Sequence, residues 1–134
     1  MNPRCISFAW TTDAFLANVK DMTRRYWKDS YAKSIQHLQF MIAMDKMPYA
    51  HGKPIGQIIV HEKYQQRTSQ LTELDYEREG LLWMEKNNLK IKGQHPREFF
   101  DEWKKKDDLV WVLEFSKTKD ETGRWLNDWV RKVE

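Results

Sequence analysis

Hydrophobic and polar positions along this chain switch between a period of two and a period near 3.6, and the switches divide it into elements. Residues 5–10 place Ile6, Phe8 and Trp10 at alternate positions and predict a first strand. Thr11, Thr12 and Asp13 then offer side-chain oxygens to the free N–H groups of a helix start, and Phe15, Leu16 and Val19 follow at helical spacing. From residue 30 to about 47, Tyr31, Ile35, Leu38 and Ile42 recur at i, i+4, i+7 and i+11 with no proline before Pro48, which predicts an amphipathic helix. Its Met41, Met44 and Met47 suit gap-filling in a core. His51-Gly52-Lys53-Pro54 has turn chemistry, and Ile58-Ile59-Val60 within residues 55–64 marks a second strand.

In the second half, Thr72-Glu73-Leu74-Asp75 has the form of a helix start, and the helix runs through Glu79 before Gly80 interrupts it ahead of residues 81–86. Pro96 sits where a first helical turn accepts proline, Phe99, Phe100 and Trp103 form a stripe, and Lys104-Lys105-Lys106 suit a solvated helix end. Residues 109–115, LVWVLEF, are β-branched and nearly continuously apolar, which predicts a buried strand. From Ser116 the composition turns polar. Trp125, Trp129 and Val133 then lie at i, i+4 and i+8 and predict a short amphipathic tail helix, which must dock on the domain or in a homo-oligomer contact. The fold class is α+β.

Composition narrows the function. The chain has 134 residues, enough for one domain with a core that needs no disulfide or metal. One cysteine, Cys5, forms no internal bridge and no paired-thiol zinc site, and His37, His51, His61 and His95 lack ligand spacing, so no metal and no cofactor is expected. No apolar run approaches the length of a membrane span, and the first residues lack the apolar core of a signal peptide, so a soluble, cytoplasmic protein is expected. Lys and Arg exceed Asp and Glu by 23 to 20, and seven of the residues are Trp. Cations beside aromatic rings are what nucleic-acid binding uses, because the cations neutralise phosphates while the rings stack on bases. Residues 20–28, KDMTRRYWK, hold both kinds together. Trp10, Trp83, Trp103 and Trp111 fall in core stripes and Trp125 and Trp129 in the tail, leaving Trp27 as the base platform.

The order of the 5–10 strand, Lys20-x-x-Thr23-x-Arg25, Gly52-Lys53-Pro54-Ile55-Gly56-Gln57-Ile58, Leu71-Thr72-Glu73 and Val110-Trp111-Val112-Leu113-Glu114-Phe115 resembles the ASCH domain family. The resemblance covers residues 4–116 and implies a PUA-like small mixed β-barrel with flanking helices over residues 1–116. Residues 117–134 are then a polar linker and the tail helix. It implies binding of RNA or a modified nucleoside in a cleft lined by the KxxTxR segment, with Lys20, Arg24, Arg25, Trp27, Lys28 and Lys53 in contact. Some small members resemble amidohydrolases of acylated cytidine, which carries over to Lys20 as base, Thr23 as nucleophile and Glu79 as support, with Glu73 and Glu77 as alternatives on the same stretch. Arg24, Arg25 and Lys28 would lower the pKa of a neighbouring Lys20. A metal-independent ribonuclease is a further enzyme option, and a non-catalytic interaction domain using the tail is the remaining one. A barrel needs more strands than the three legible here, so others are expected near Tyr26-Trp27 or residues 64–68.

Overall fold

The segment expected as one helix over residues 30–47 is a helix and then a strand. A computed structural model describes residues 4–126. In it α2 spans only Asp29–Ser34, Ile35 is already extended, Leu38 takes a left-handed φ of 61°, and Phe40–Met44 forms strand β3. The helical stripe fails at Leu38, which is exposed. The alternation within 40–44 wins instead, because Met41 and Ala43 are buried against β4 while Phe40 and Ile42 are less covered.

Five strands result: β1 Cys5–Ser7, β2 Met22–Arg25, β3 Phe40–Met44, β4 Pro54–Arg67 and β5 Leu109–Lys119. They form one sheet in the order β1-β3-β4-β5-β2, parallel between β1 and β3 and antiparallel elsewhere. The strand expected over 5–10 is shorter: it stops at Ser7, and residues 9–11 form a 3-10 turn. The additional strands lie close to where they were sought, since β2 ends just before Tyr26 and β4 runs on through Arg67. β5 also runs past Phe115, and Ser116 and Thr118 are buried in it, so the polar run from Ser116 is strand before it is linker. Trp125 is not helical but pairs with Lys119 in an isolated bridge; the rest of the expected tail helix, with Trp129 and Val133, lies outside the described residues.

The remaining helices are α1 Thr12–Leu16, α3 Glu73–Arg78, α4 Leu81–Lys86 and α5 Pro96–Lys106. The Thr72 cap and the Pro96 start are both present, and Lys104–Lys106 close α5. Apolar side chains gather into two cores. One lies on the sheet and joins Phe8, Phe15, Ile58, Val60, Leu113 and Phe115, with the Phe8 and Phe15 rings stacked 4.7 Å apart. The other is helical and joins Leu71, Tyr76, Leu81, Met84, Phe100 and Trp103.

The sheet is mixed and open. Among the described residues no ladder joins its edges β1 and β2, so the expected closed barrel is not seen. A side chain spans the gap instead: Arg25 Nη2 donates to the Ser7 carbonyl at 2.6 Å.

A candidate nucleotide cleft between the two cores

Lys20 lies just before β2, and the chain forces its ammonium inward, where only 1% of the side chain stays exposed. A cation so placed must find acceptors. Nζ donates to the Met22 carbonyl at 2.8 Å, to the Glu79 carbonyl at 2.9 Å and to Glu79 Oε1 at 3.0 Å, which uses all three of its N–H bonds. Glu79 closes α3, so its carbonyl belongs to the negative end of that helix, where a cation is favoured. Gly80, at φ +91°, lets the chain turn into α4 this close; a Cβ there would meet Ala14 Cβ at 2.5 Å and Lys20 Cβ at 3.4 Å.

The second carboxylate oxygen of Glu79 accepts from Arg24 Nη1 at 2.8 Å. Arg24 also reaches Asp75 Oδ1 at 2.9 Å through Nη2 and Gln66 Oε1 through Nε and Nη2, and its side chain has no exposed area. Asp75 uses its other oxygen, Oδ2, to accept from the Thr72 N–H at 2.8 Å, so one residue caps α3 and ties that helix to β2. Arg24 is therefore a strut between β2 and α3. It also stands in the lining of the cleft between the two cores.

Thr23 and Arg25 project on the opposite side of β2 from Arg24, as strand alternation requires. Arg25 Nε donates to Thr23 Oγ1 at 3.1 Å, and its guanidinium lies 5.5 Å from the Phe8 ring centroid, with Lys20 Nζ 5.8 Å from the same ring. Burial lowers the pKa of Lys20 chiefly by desolvation; Glu79 opposes this, and Arg25 and Arg24 add smaller downward pushes. The cause expected from the sequence, neighbouring cations, is thus secondary, and Lys28 is not among them. Desolvation likewise lowers Arg25 to about 10, which leaves it charged at neutral pH.

Above this floor opens a cleft of about 420 Å³. Lys20, Thr23, Arg25 and Glu79 line its base; Phe8, Trp10, Tyr26, Phe99 and Trp103 supply aromatic walls, and Lys92 and Lys106 stand among the lining residues. Two walls are tied together, since Trp103 Nε1 donates to Tyr26 Oη at 2.7 Å and Tyr26 donates to Asp108 Oδ2 at 2.7 Å. Glu79 is the one glutamate of the three candidates in this lining: Glu73 is held by Arg97 at 2.7 Å, and Glu77 is exposed outside it. Lys20 and Glu79 are in direct contact, while Thr23 contacts Arg25 and not Lys20.

Three expected contacts lie elsewhere. Trp27 packs on the sheet core and lines a second cavity together with Lys28. Lys53 is exposed before β4, with its backbone N–H on Asp45 Oδ1 at 2.6 Å, and lines neither cavity. Conversely Trp10, expected in the core, is 56% exposed and stands in the wall of the cleft. Trp103 is core as expected, whereas Trp83 and Trp111 are only partly covered. Tyr26, Lys92 and Lys106 were missed as site residues; the Lys104–Lys106 run was visible as charge, but only the direction of α5 brings its last member to the cleft. No group of His, Cys, Asp and Glu that could hold a metal ion occurs among the described residues, and no described helix is long and apolar enough to cross a membrane.

No family model and no curated protein matches the chain. Among solved structures it is similar to EF3133, a DUF984 protein from Enterococcus faecalis V583, with TM-score 0.58 and 14% identity over 95% of this chain and 87% of that one. It is also similar to an ASCH domain from Lactobacillus crispatus JV V101, with TM-score 0.49 and 17% identity over 81% and 70% of the two chains. The chain thus shares a mixed α+β fold with the DUF984 protein.

Glu79→Ala would leave Lys20 and Arg24 buried without the carboxylate they share, and removing one partner of such a pair costs about 3–5 kcal/mol. Urea denaturation is expected to show a loss of that size. A loss under about 1 kcal/mol would mean that the network does not hold β2 to α3.

Proposed function

We propose that the cleft binds one base of RNA or of a modified nucleoside. The observation that carries this reading is the pairing of aromatic walls with a floor of fixed donors in a space of about 420 Å³. Rings such as Trp10 and Tyr26 accept the face of any base, while the Thr23 hydroxyl, held from one side by Arg25, is suited to meet a base edge. Lys92 and Lys106 add positive charge where a sugar-phosphate would leave the cleft.

A second reading, hydrolysis of an acylated cytidine, is favoured by one specific observation: Lys20, Thr23 and Glu79 all line the same cleft, and burial moves Lys20 toward its neutral form. In that reaction Thr23 Oγ attacks the amide carbonyl carbon as its proton passes to neutral Lys20 Nζ. The Arg25 guanidinium stabilises the oxyanion, collapse expels the cytosine amine with a proton from Lys20, and water then cleaves the acyl-threonine to release the acid. The step requires Nζ to turn from the Met22 carbonyl toward Thr23, with Glu79 keeping hold of it.

For binding, Trp10→Ala should weaken affinity for a short cytidine-containing RNA by about 1–3 kcal/mol, the usual worth of a base–aromatic stack. Its melting temperature should be unchanged, because this indole is mostly in solvent. Titration calorimetry reads the first and differential scanning fluorimetry the second; unaltered affinity would count against the cleft as the base site.

For catalysis, protein incubated with N4-acetylcytidine should release acetate at a rate that rises with pH to an apparent pKa below 10.5, because Lys20 must be deprotonated to act and its pKa is lowered. Thr23→Ala should abolish the release and Thr23→Ser should retain part of it. Full activity in Thr23→Ala would remove this mechanism.

A further inference from the structure

We infer that the site extends beyond the single-base cleft to a second subsite for the neighbouring nucleotide of a single-stranded RNA. This rests on the nucleotide reading of the first cleft. A second cavity of about 340 Å³ adjoins it, and the two share Ser7 and Arg25 in their lining.

The order of the shared strands fixes how the cavities are arranged. On the β1 side, residues 5–7 line the second cavity and residues 7–11 the first; on the β2 side, residues 25, 27 and 28 line the second and residues 20 and 23–26 the first. Both edges therefore pass from one cavity to the other in step, in opposite chain directions. The two spaces lie end to end along the open seam between the sheet edges, and the bond from Arg25 to the Ser7 carbonyl is the waist between them.

The second cavity, like the first, sets aromatic rings beside cations, and unlike the first it has no carboxylate among its described lining residues. Trp27 and Tyr31 meet edge to face with centroids 5.2 Å apart, and the Arg4 guanidinium lies 5.2 Å from the Tyr31 ring centroid. Lys28 lines the cavity and is exposed, while no Asp or Glu is among the described lining residues. Aromatic surface, cations and no competing carboxylate fit a stacked base with an anionic backbone. Trp27 and Lys28 thus contact nucleic acid in this subsite, and Arg25, which lines both cavities, lies under the phosphate that joins the two nucleotides.

The test is calorimetry at fixed salt with cytidine monophosphate and with oligocytidylates of two, three and four residues on the full chain. Affinity should step up by about fivefold or more when the second base is added, the gain of one further stack. Lys28→Glu should shrink that gain. Equal affinity per site for the monophosphate and every longer strand would overturn the second subsite while leaving the base cleft intact, and so would a gain with length that Lys28→Glu does not reduce. No binding at any length would overturn both. Trp27→Phe, which keeps a ring on the core, should retain most of the step where Trp27→Leu, similar in packing, loses it.

Discussion

The buried carboxylate of Glu79 is the constraint on which the rest of the structure depends. Two cations, Lys20 and Arg24, are taken out of water beside it, and each of its oxygens holds one of them. Among the described residues Lys20 has no other carboxylate at its ammonium, and an unpaired ion at such burial is far costlier than the pair, whereas Arg24 keeps a second partner in Asp75. Through Arg24 the network reaches Asp75 and the cap of α3, and through Lys20 it reaches the loop before β2. The helical core and the sheet core are thereby locked at the angle that leaves a cleft between them.

An open seam is the second consequence. The sheet brings its edge strands near enough for one arginine to cross, yet among the described residues no ladder closes them. Unpaired edges are ordinarily a liability. Here the edges are short, and one of them carries Thr23 and Arg25 into the space that a closing ladder would have filled. The gap in the sheet and the candidate site are the same feature.

Much of this was legible in the sequence. KxxTxR, the helix ending at Glu79 and the LVWVLEF strand lie where the residues implied, because short-range signals such as the Thr72 cap, Gly80 and a β-branched run are local causes with local effects. Other features depend on tertiary placement. Residues 35–44 satisfy a helical stripe and a strand alternation at once, and only pairing with β4 decides between them. Arg24 and Arg25 are adjacent and alike in sequence, and both stand in the lining of the cleft, but one side of β2 faces α3 and the other the seam, so Arg24 is tied to α3 and Arg25 to β1. Trp10 follows the alternation of β1 into a 3-10 turn that rotates it out of the core, which no periodicity could signal.

We propose that the space between the two cores takes a base. A two-dimensional NMR titration of isotopically labelled protein with cytidine monophosphate tests it most directly. A base in this space would concentrate the shifts on the backbone amides of Ser7, Thr23 and Arg25 and on the indole N–H groups of Trp10 and Trp103, all in the lining of the cleft. Shifts centred instead on Lys53 and the 48–51 turn, with the cleft signals unmoved, would contradict it.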